Sequence, residues 1–163
     1  MTGVSFLKAI YHCNSIVKIF FYKILYRNSF CCGKNVSFRK NFSLIINSKD
    51  AKVKIGDGVF FNNNCSISCL SCIVVGANSI FGENVKIYDH NHIYKDLLNL
   101  IKLQGFTCDP IGIGSNCWIG SNVVILKGVN IGDGCVIGSG CVIYKDIESG
   151  SVIVNYQDLR EIK

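Results

Sequence analysis

The sequence predicts an all-β fold: a parallel β-helix of six-residue repeats, with a helical segment at its start and one long protruding loop. Three observations carry this reading. From Ile113 an aliphatic residue returns every six positions, at Ile119, Ile125, Ile131, Ile137 and Ile143. The position after it is often glycine, as at Gly114, Gly120, Gly132 and Gly138. The 163-residue chain holds 16 Gly but one Pro, which argues against disorder and against a Pro-rich linker. A six-residue period matches neither a helical stripe nor strand alternation. It matches a solenoid in which each unit gives one short strand and one turn. Three units close a triangular coil, and coils stack about 4.8 Å apart.

The first element is a helical cap over residues 1–33. In the segment from residue 4 to 30, Leu7, Ile10, Tyr11, Val17, Phe20, Phe21, Ile24 and Leu25 fall at helical spacing. An open solenoid end requires such a cover. Lys8, Lys18, Lys23 and Arg27 share the segment and leave room for a second role, a weak contact with an anionic membrane surface. Capping is the dominant expectation. The apolar run from Ile16 to Tyr26 is too short and too charged to span a bilayer, and no cleavable signal peptide is evident. Net charge is +6, but residues 1–54 hold ten Lys/Arg against one acid. That suggests an acidic surface or a phosphorylated ligand, and solvated lysines on an end cap explain it as well. No nucleic-acid partner is expected.

Residues 34–163 form the second element, the β-helix. Residues 34–54 read as an irregular first coil. The repeat is then visible at Ile55, Phe61 and Ile67, and again at Val75, Phe81 and Ile87, with a two-residue slip near "CLSCIVVG". Glycine at the second position is expected to let the backbone turn where a side chain would be crowded. The fifth position faces inward and must be small. Cys65, Cys117, Cys135 and Cys141 all occupy it, so these thiols read as buried apolar fillers. The pair Cys69 and Cys72 lacks a second pair, which weighs against zinc. The ten cysteines together read as reduced thiols of a cytosolic protein.

The third element is the loop, residues 93–110, where the count fails between Ile87 and Ile113. A long loop breaking a regular scaffold is more often functional than accidental. It follows directly on "KIYDHNHIYKD", which holds two of the chain's three histidines, His90 and His92, beside Asp89. In extended chain the two rings point the same way, so the pair can serve as a base or chelate a metal. A polar loop without a function is the plain alternative.

The runs "FGENVKIYDHNH" and "PIGIGSNCWIGSNVVILKGVNIGDGCVIGSGCVIYKDI" resemble the hexapeptide-repeat acyltransferases. That superfamily includes galactoside, maltose and serine acetyltransferases and O-acetyltransferases of surface polysaccharides. The resemblance covers about residues 34–148. It implies a left-handed β-helix; handedness does not follow from physics alone, since ordinary parallel crossovers are right-handed. It also implies a homotrimer with acetyl-CoA in a groove between two subunits.

Within that resemblance the base is the histidine five residues after the strand aliphatic, His92, with Asp89 and His90 in support. Asn64 matches an acceptor contact. Gly120 and Ser121 match groups near the thioester, where their turn is expected to offer oxyanion donors. Ser139, Lys145 and Arg160 match residues along the pantetheine and phosphate groove. The last residues, "VNYQDLREIK", lack the family's proline turn, which weakens the nucleotide end of that match. The same scaffold in gamma-class carbonic anhydrases uses three histidines on zinc. Here the third, His12, lies in the N-terminal segment, so no metal is expected.

The expected function is acetyl transfer from acetyl-CoA to a sugar hydroxyl of a surface polysaccharide or its lipid-linked or nucleotide-linked precursor. The setting is the cytoplasm, with the inner membrane face as a further possibility. N-acetylation of an amino sugar nucleotide is the alternative within enzymes, and a non-catalytic β-helix scaffold is the alternative outside them.

Overall fold

The computed structural model describes residues 3–156, with side chains from Tyr11 onward apart from His12. One helix, α1 (Gly3–Tyr26), leads into a left-handed parallel β-helix with three faces. The first face stacks Phe30–Cys32, Lys52–Ile55, Cys72–Val75, Ile111–Ile113 and Asn130–Ile131. The second stacks Ser37–Phe38, Phe60–Phe61, Ile80–Phe81, Trp118–Ile119, Val136–Ile137 and Val152–Ile153. The third stacks Ser43–Ile46, Ser66–Cys69, Lys86–Tyr88, Val124–Ile125 and Val142–Ile143.

Register follows the repeat. Ile55, Val75, Ile113 and Ile131 align down the first face, and Phe61, Phe81, Ile119 and Ile137 down the second. All are buried. In the early coils the second column is aromatic: Phe61 and Phe81 stack with centroids 4.3 Å apart, and Phe38 lies 5.7 Å from Phe61. Each such ring contributes about 1.5–3 kcal/mol through burial. The solenoid already begins at Phe30, whose strand pairs with Lys52–Ile55, a few residues before the boundary expected at residue 34.

Glycine works differently from the sequence expectation. The backbone turns at the fourth position, which adopts positive φ at Asn116 (55°), Asn122 (59°), Gly128 (79°), Gly134 (68°) and Gly140 (75°). Asn and Gly tolerate that region best. Glycine at the second position is a matter of space between coils. A Cβ on Gly120 would lie 2.7 Å from the Ser139 nitrogen and 2.8 Å from the Ile137 oxygen. At the fifth position the buried thiols donate to carbonyls of the next coil: Cys65 to Gly82 at 3.1 Å, Cys117 to Gly132 at 3.2 Å, Cys135 to Glu148 at 3.1 Å.

Helix α1 packs against the first coil. An unpaired solenoid end exposes backbone donors and acceptors, as any sheet edge does. Ser15, fully buried, accepts the Phe38 N–H at 2.8 Å, and its hydroxyl lies 2.9 Å from the Phe38 carbonyl. Tyr26 donates to the Leu44 carbonyl at 3.0 Å and Tyr22 to that of Phe42 at 3.4 Å. Ile19 packs beside them on the core.

Candidate active site

The loop is rooted in a structure that the sequence did not reveal. His90–His92 pairs antiparallel with Phe106–Cys108, so the excursion is a β-hairpin. His92 lies opposite Phe106 and His90 opposite Cys108. Both imidazoles rest on the Phe106 ring, at centroid distances of 5.3 Å for His90 and 4.4 Å for His92. Asp96 and Gln104 brace the loop internally: Asp96 accepts from Leu98 N and Asn99 Nδ2, and Gln104 Nε2 donates to the Asp96 and Asn99 carbonyls. Its tip, by contrast, presents Leu97 and Leu98 at 95% and 96% exposure.

Asp89 anchors the hairpin. It is fully buried, and it takes hydrogen bonds from the Leu70 N–H at 2.8 Å, the Ser71 N–H at 2.7 Å and the Cys69 thiol at 3.2 Å. Leu70 and Ser71 are the slip in the repeat. The inserted turn is therefore a two-amide cradle for this carboxylate. The fourth partner is His90, whose Nδ1 lies 2.9 Å from Asp89 Oδ1. Burial opposes ionisation of Asp89, but the bonds from His90, Leu70, Ser71 and Cys69 outweigh it and hold the carboxyl below its ordinary value. The same neighbour, with burial as the larger cause, pushes the Cys69 thiol well up.

The two histidines differ in what they meet. His90 is partly buried and tied to Asp89. His92 is exposed and lines a cleft of about 370 Å³ with Asn91, Tyr94, Lys95, Thr107 and Lys127. Lys127 is ion-paired with Asp109, whose own N–H bonds the Asp89 carbonyl at 2.9 Å. The roots of the hairpin and of the fourth coil are thus tied together. Phe106, Asp109 and Lys127 were not singled out from the sequence, because only the hairpin pairing brings them to the histidines.

The other expected site residues separate by corner. His90, His92, Lys127 and Lys145 lie at the corner between third and first faces; Asn64, Gly120, Ser121 and Ser139 lie at the corner between second and third faces. Asn64 sits at a fourth position with φ 61°, its side chain accepting from Asn41 at 3.0 Å. The Gly120 N–H donates to Ile137 at 2.7 Å within the coil ladder, so it is not free for an oxyanion, contrary to the sequence expectation. Ser121 Oγ accepts the Glu83 N–H at 3.1 Å. Ser139 is exposed, and Lys145 lines a cleft of about 290 Å³ with Tyr144, Val154 and Asn155. Arg160 lies outside the described residues. Among the described residues, no group of three or more His, Cys, Asp or Glu is placed to hold a metal ion.

Comparison with known proteins agrees with this architecture. Residues 110–145 match the family described as bacterial transferase hexapeptide (six repeats). Nodulation protein L of Rhizobium leguminosarum bv. viciae is 36% identical over 77 residues, 47% of this chain and 40% of that protein. Among solved structures, galactoside acetyltransferase in complex with coenzyme A superposes with a TM-score of 0.70 at 26% identity, covering 90% of this chain and 77% of that one. A hexapeptide-repeat-containing acetyltransferase of Vibrio cholerae, complexed with acetyl coenzyme A, gives 0.68 at 26% identity, covering 81% and 70%. The chain spans between 28% and 55% of the length of the curated relatives it matches. The resemblance to the hexapeptide-repeat acyltransferases is borne out in both sequence and fold.

Proposed function

We propose that the protein is an acetyl-CoA-dependent O-acetyltransferase, active as a homotrimer, whose acceptor is a sugar hydroxyl of a surface polysaccharide or of its lipid-linked or nucleotide-linked precursor. The observation that carries this reading is the anchored histidine strand. A fully buried carboxylate with four partners fixes His90–His92 at the mouth of a cleft, on a scaffold shared with proteins solved with coenzyme A and acetyl coenzyme A. Asn64, Ser121 and Ser139 stand at a different corner of the prism from His92, so one chain does not close a site around both groups. A site between adjacent copies does. Two surfaces support that assembly: the outward row Phe60, Ile80, Trp118, Val136 and Val152 on the second face, and the apolar loop tip, which would cover the neighbour's acceptor site.

His92 is the general base in this reading. It takes the proton from the acceptor hydroxyl as the oxygen bonds to the thioester carbonyl carbon. The carbon–sulfur bond then breaks, and the thiolate of coenzyme A leaves and collects the proton from the imidazolium. The Ser121 turn supplies polar contact near the carbonyl oxygen, and Ser139 and Lys145 line the coenzyme groove, with Arg160 at its far end. The Asp89–His90 bond favours a second assignment, His90 as the base oriented by Asp89, with His92 as a substrate contact. The protein would act in the cytoplasm, at the inner face of the membrane when the acceptor is lipid-linked. The test is thiol release from acetyl-CoA against sugars, amino sugar nucleotides and glycans. Release dependent on a sugar hydroxyl is expected. Release only with free amines would replace O- by N-acetylation, and none with any acceptor would leave a non-catalytic scaffold.

A further inference from the structure

Helix α1 has two apolar faces, and the solenoid uses only one. Ser15, Ile19, Tyr22 and Tyr26 face the first coil. Ile16, Val17, Phe20, Phe21, Ile24 and Leu25 face away from it, each more than half exposed, with Phe20 at 65%. Their spacing is a second helical stripe. Water is a poor neighbour for such a stripe, and patches of this kind mark an interaction surface.

Charge identifies the partner. Lys18 and Lys23 flank the stripe on its two edges, and Arg27 follows at its end. A cleft of about 430 Å³ runs between the stripe and the first turn of the solenoid, with Lys23 and Lys34 among the residues lining it. The only acid in residues 1–54 is Asp50. An apolar helix face among cations, without compensating acids, fits an interface of acyl chains and anionic headgroups. The helix cannot cross a bilayer: among the described residues, no helix is long and apolar enough. It would lie in the plane of the surface, with Phe20, Phe21 and Ile24 between headgroups and the lysines on phosphates.

We propose that α1 is bifunctional: its inner face closes the solenoid and its outer face docks the protein on an anionic lipid surface. This does not depend on the acetyl-transfer reading, so either can fail alone. The test is co-sedimentation of the full chain with vesicles of phosphatidylcholine alone or with about 30% phosphatidylglycerol. Binding to the anionic vesicles is expected, with little to the neutral ones. It should fall at least tenfold when salt is raised from about 50 mM to about 500 mM, since exposed charges are then screened. Each of Lys18→Gln and Lys23→Gln should weaken it about fivefold at low salt.

The triple variant Phe20→Ser, Phe21→Ser, Ile24→Ser should abolish binding while its melting temperature stays within about 3 °C of the parent, because these side chains lie outside the core. Three outcomes overturn the proposal: no binding of the full chain to anionic vesicles, equal binding to both vesicle types, or binding undiminished in the triple variant. If the triple variant instead dissolves an oligomer of the parent in light scattering while the parent ignores vesicles, the outer face joins copies of the chain.

Discussion

Replacing Asp89 with alanine should destabilise the protein and unlock the histidine strand together. The carboxylate meets two backbone donors, Leu70 N–H at 2.8 Å and Ser71 N–H at 2.7 Å, in a turn that is partly shielded from water. Each donor stranded without a partner costs about 1–3 kcal/mol. Water reaches part of the turn, so the sum should fall near the lower end, about 2–4 kcal/mol. For a chain of this size 1 kcal/mol moves the melting temperature by about 2–4 °C, giving a drop of roughly 4–16 °C. Asp89→Asn keeps one acceptor and should cost less, about 1–3 kcal/mol. The assay is thermal unfolding followed by circular dichroism, repeated from neutral pH downward. Asp89 titrates lower in the folded state than the usual value of about 3.9 in an unfolded chain. Its contribution is therefore fully present above about pH 4 and is lost as pH falls through the depressed folded value. The gap between wild type and Asp89→Asn should shrink in that range. An alanine variant melting within about 2 °C of wild type, or a gap that stays constant to low pH, would refute the cradle argument.

His92→Ala should lower turnover by about 10²–10⁴ with the oligomeric state unchanged, and His90→Ala should cost less; the reverse order, read from initial rates of thiol release, would make His90 the base. Gly120→Ala should destabilise by about 1–3 kcal/mol in a urea titration, because its Cβ would meet neighbouring backbone at 2.7 Å, whereas Gly134→Asn at φ 68° with open space around it should cost under about 1 kcal/mol. Cys135→Val should change stability by less than about 1.5 kcal/mol, since Val123 and Val129 fill the same position in other units, and a larger loss would mean that the thiol's bond to Glu148 matters more than its volume.

The scaffold was legible because its period is strict. Ile113 to Ile143 announce stacked columns, and buried Cys65, Cys117, Cys135 and Cys141 fall where the repeat predicts. The turn chemistry is legible too, but two positions further along than the sequence suggests. Asn116, Asn122, Gly128, Gly134 and Gly140 mark the fourth position, and only the backbone angles show that they, and not the second-position glycines, carry the turn. The site was legible in part. "DHNH" announced polar chemistry, but the sequence could not show that the slip at Leu70–Ser71 exists to hold Asp89, because the two segments meet only when coils stack. The hairpin was hidden for a similar reason: "HNH" and "FTC" have no alternation long enough to read as strands. For α1, the apolar spacing predicted a helix but not two apolar faces, since a stripe on either side satisfies the same spacing.

The proposed acetyl-transfer site is divided between adjacent chains, so oligomers mixed from two inactive variants should regain activity. His92→Ala removes the base from one corner, and Ser139→Trp should block the exposed groove at the other, so each variant alone should be inactive. If the two are denatured, mixed in equal amounts and refolded, about one quarter of the interfaces should pair an intact His92 with an open groove on the neighbour. Acetyl-CoA-dependent thiol release should then return to about a quarter of the wild-type rate. No recovery, in a sample whose chains are shown by mass spectrometry to have mixed, would contradict the shared site.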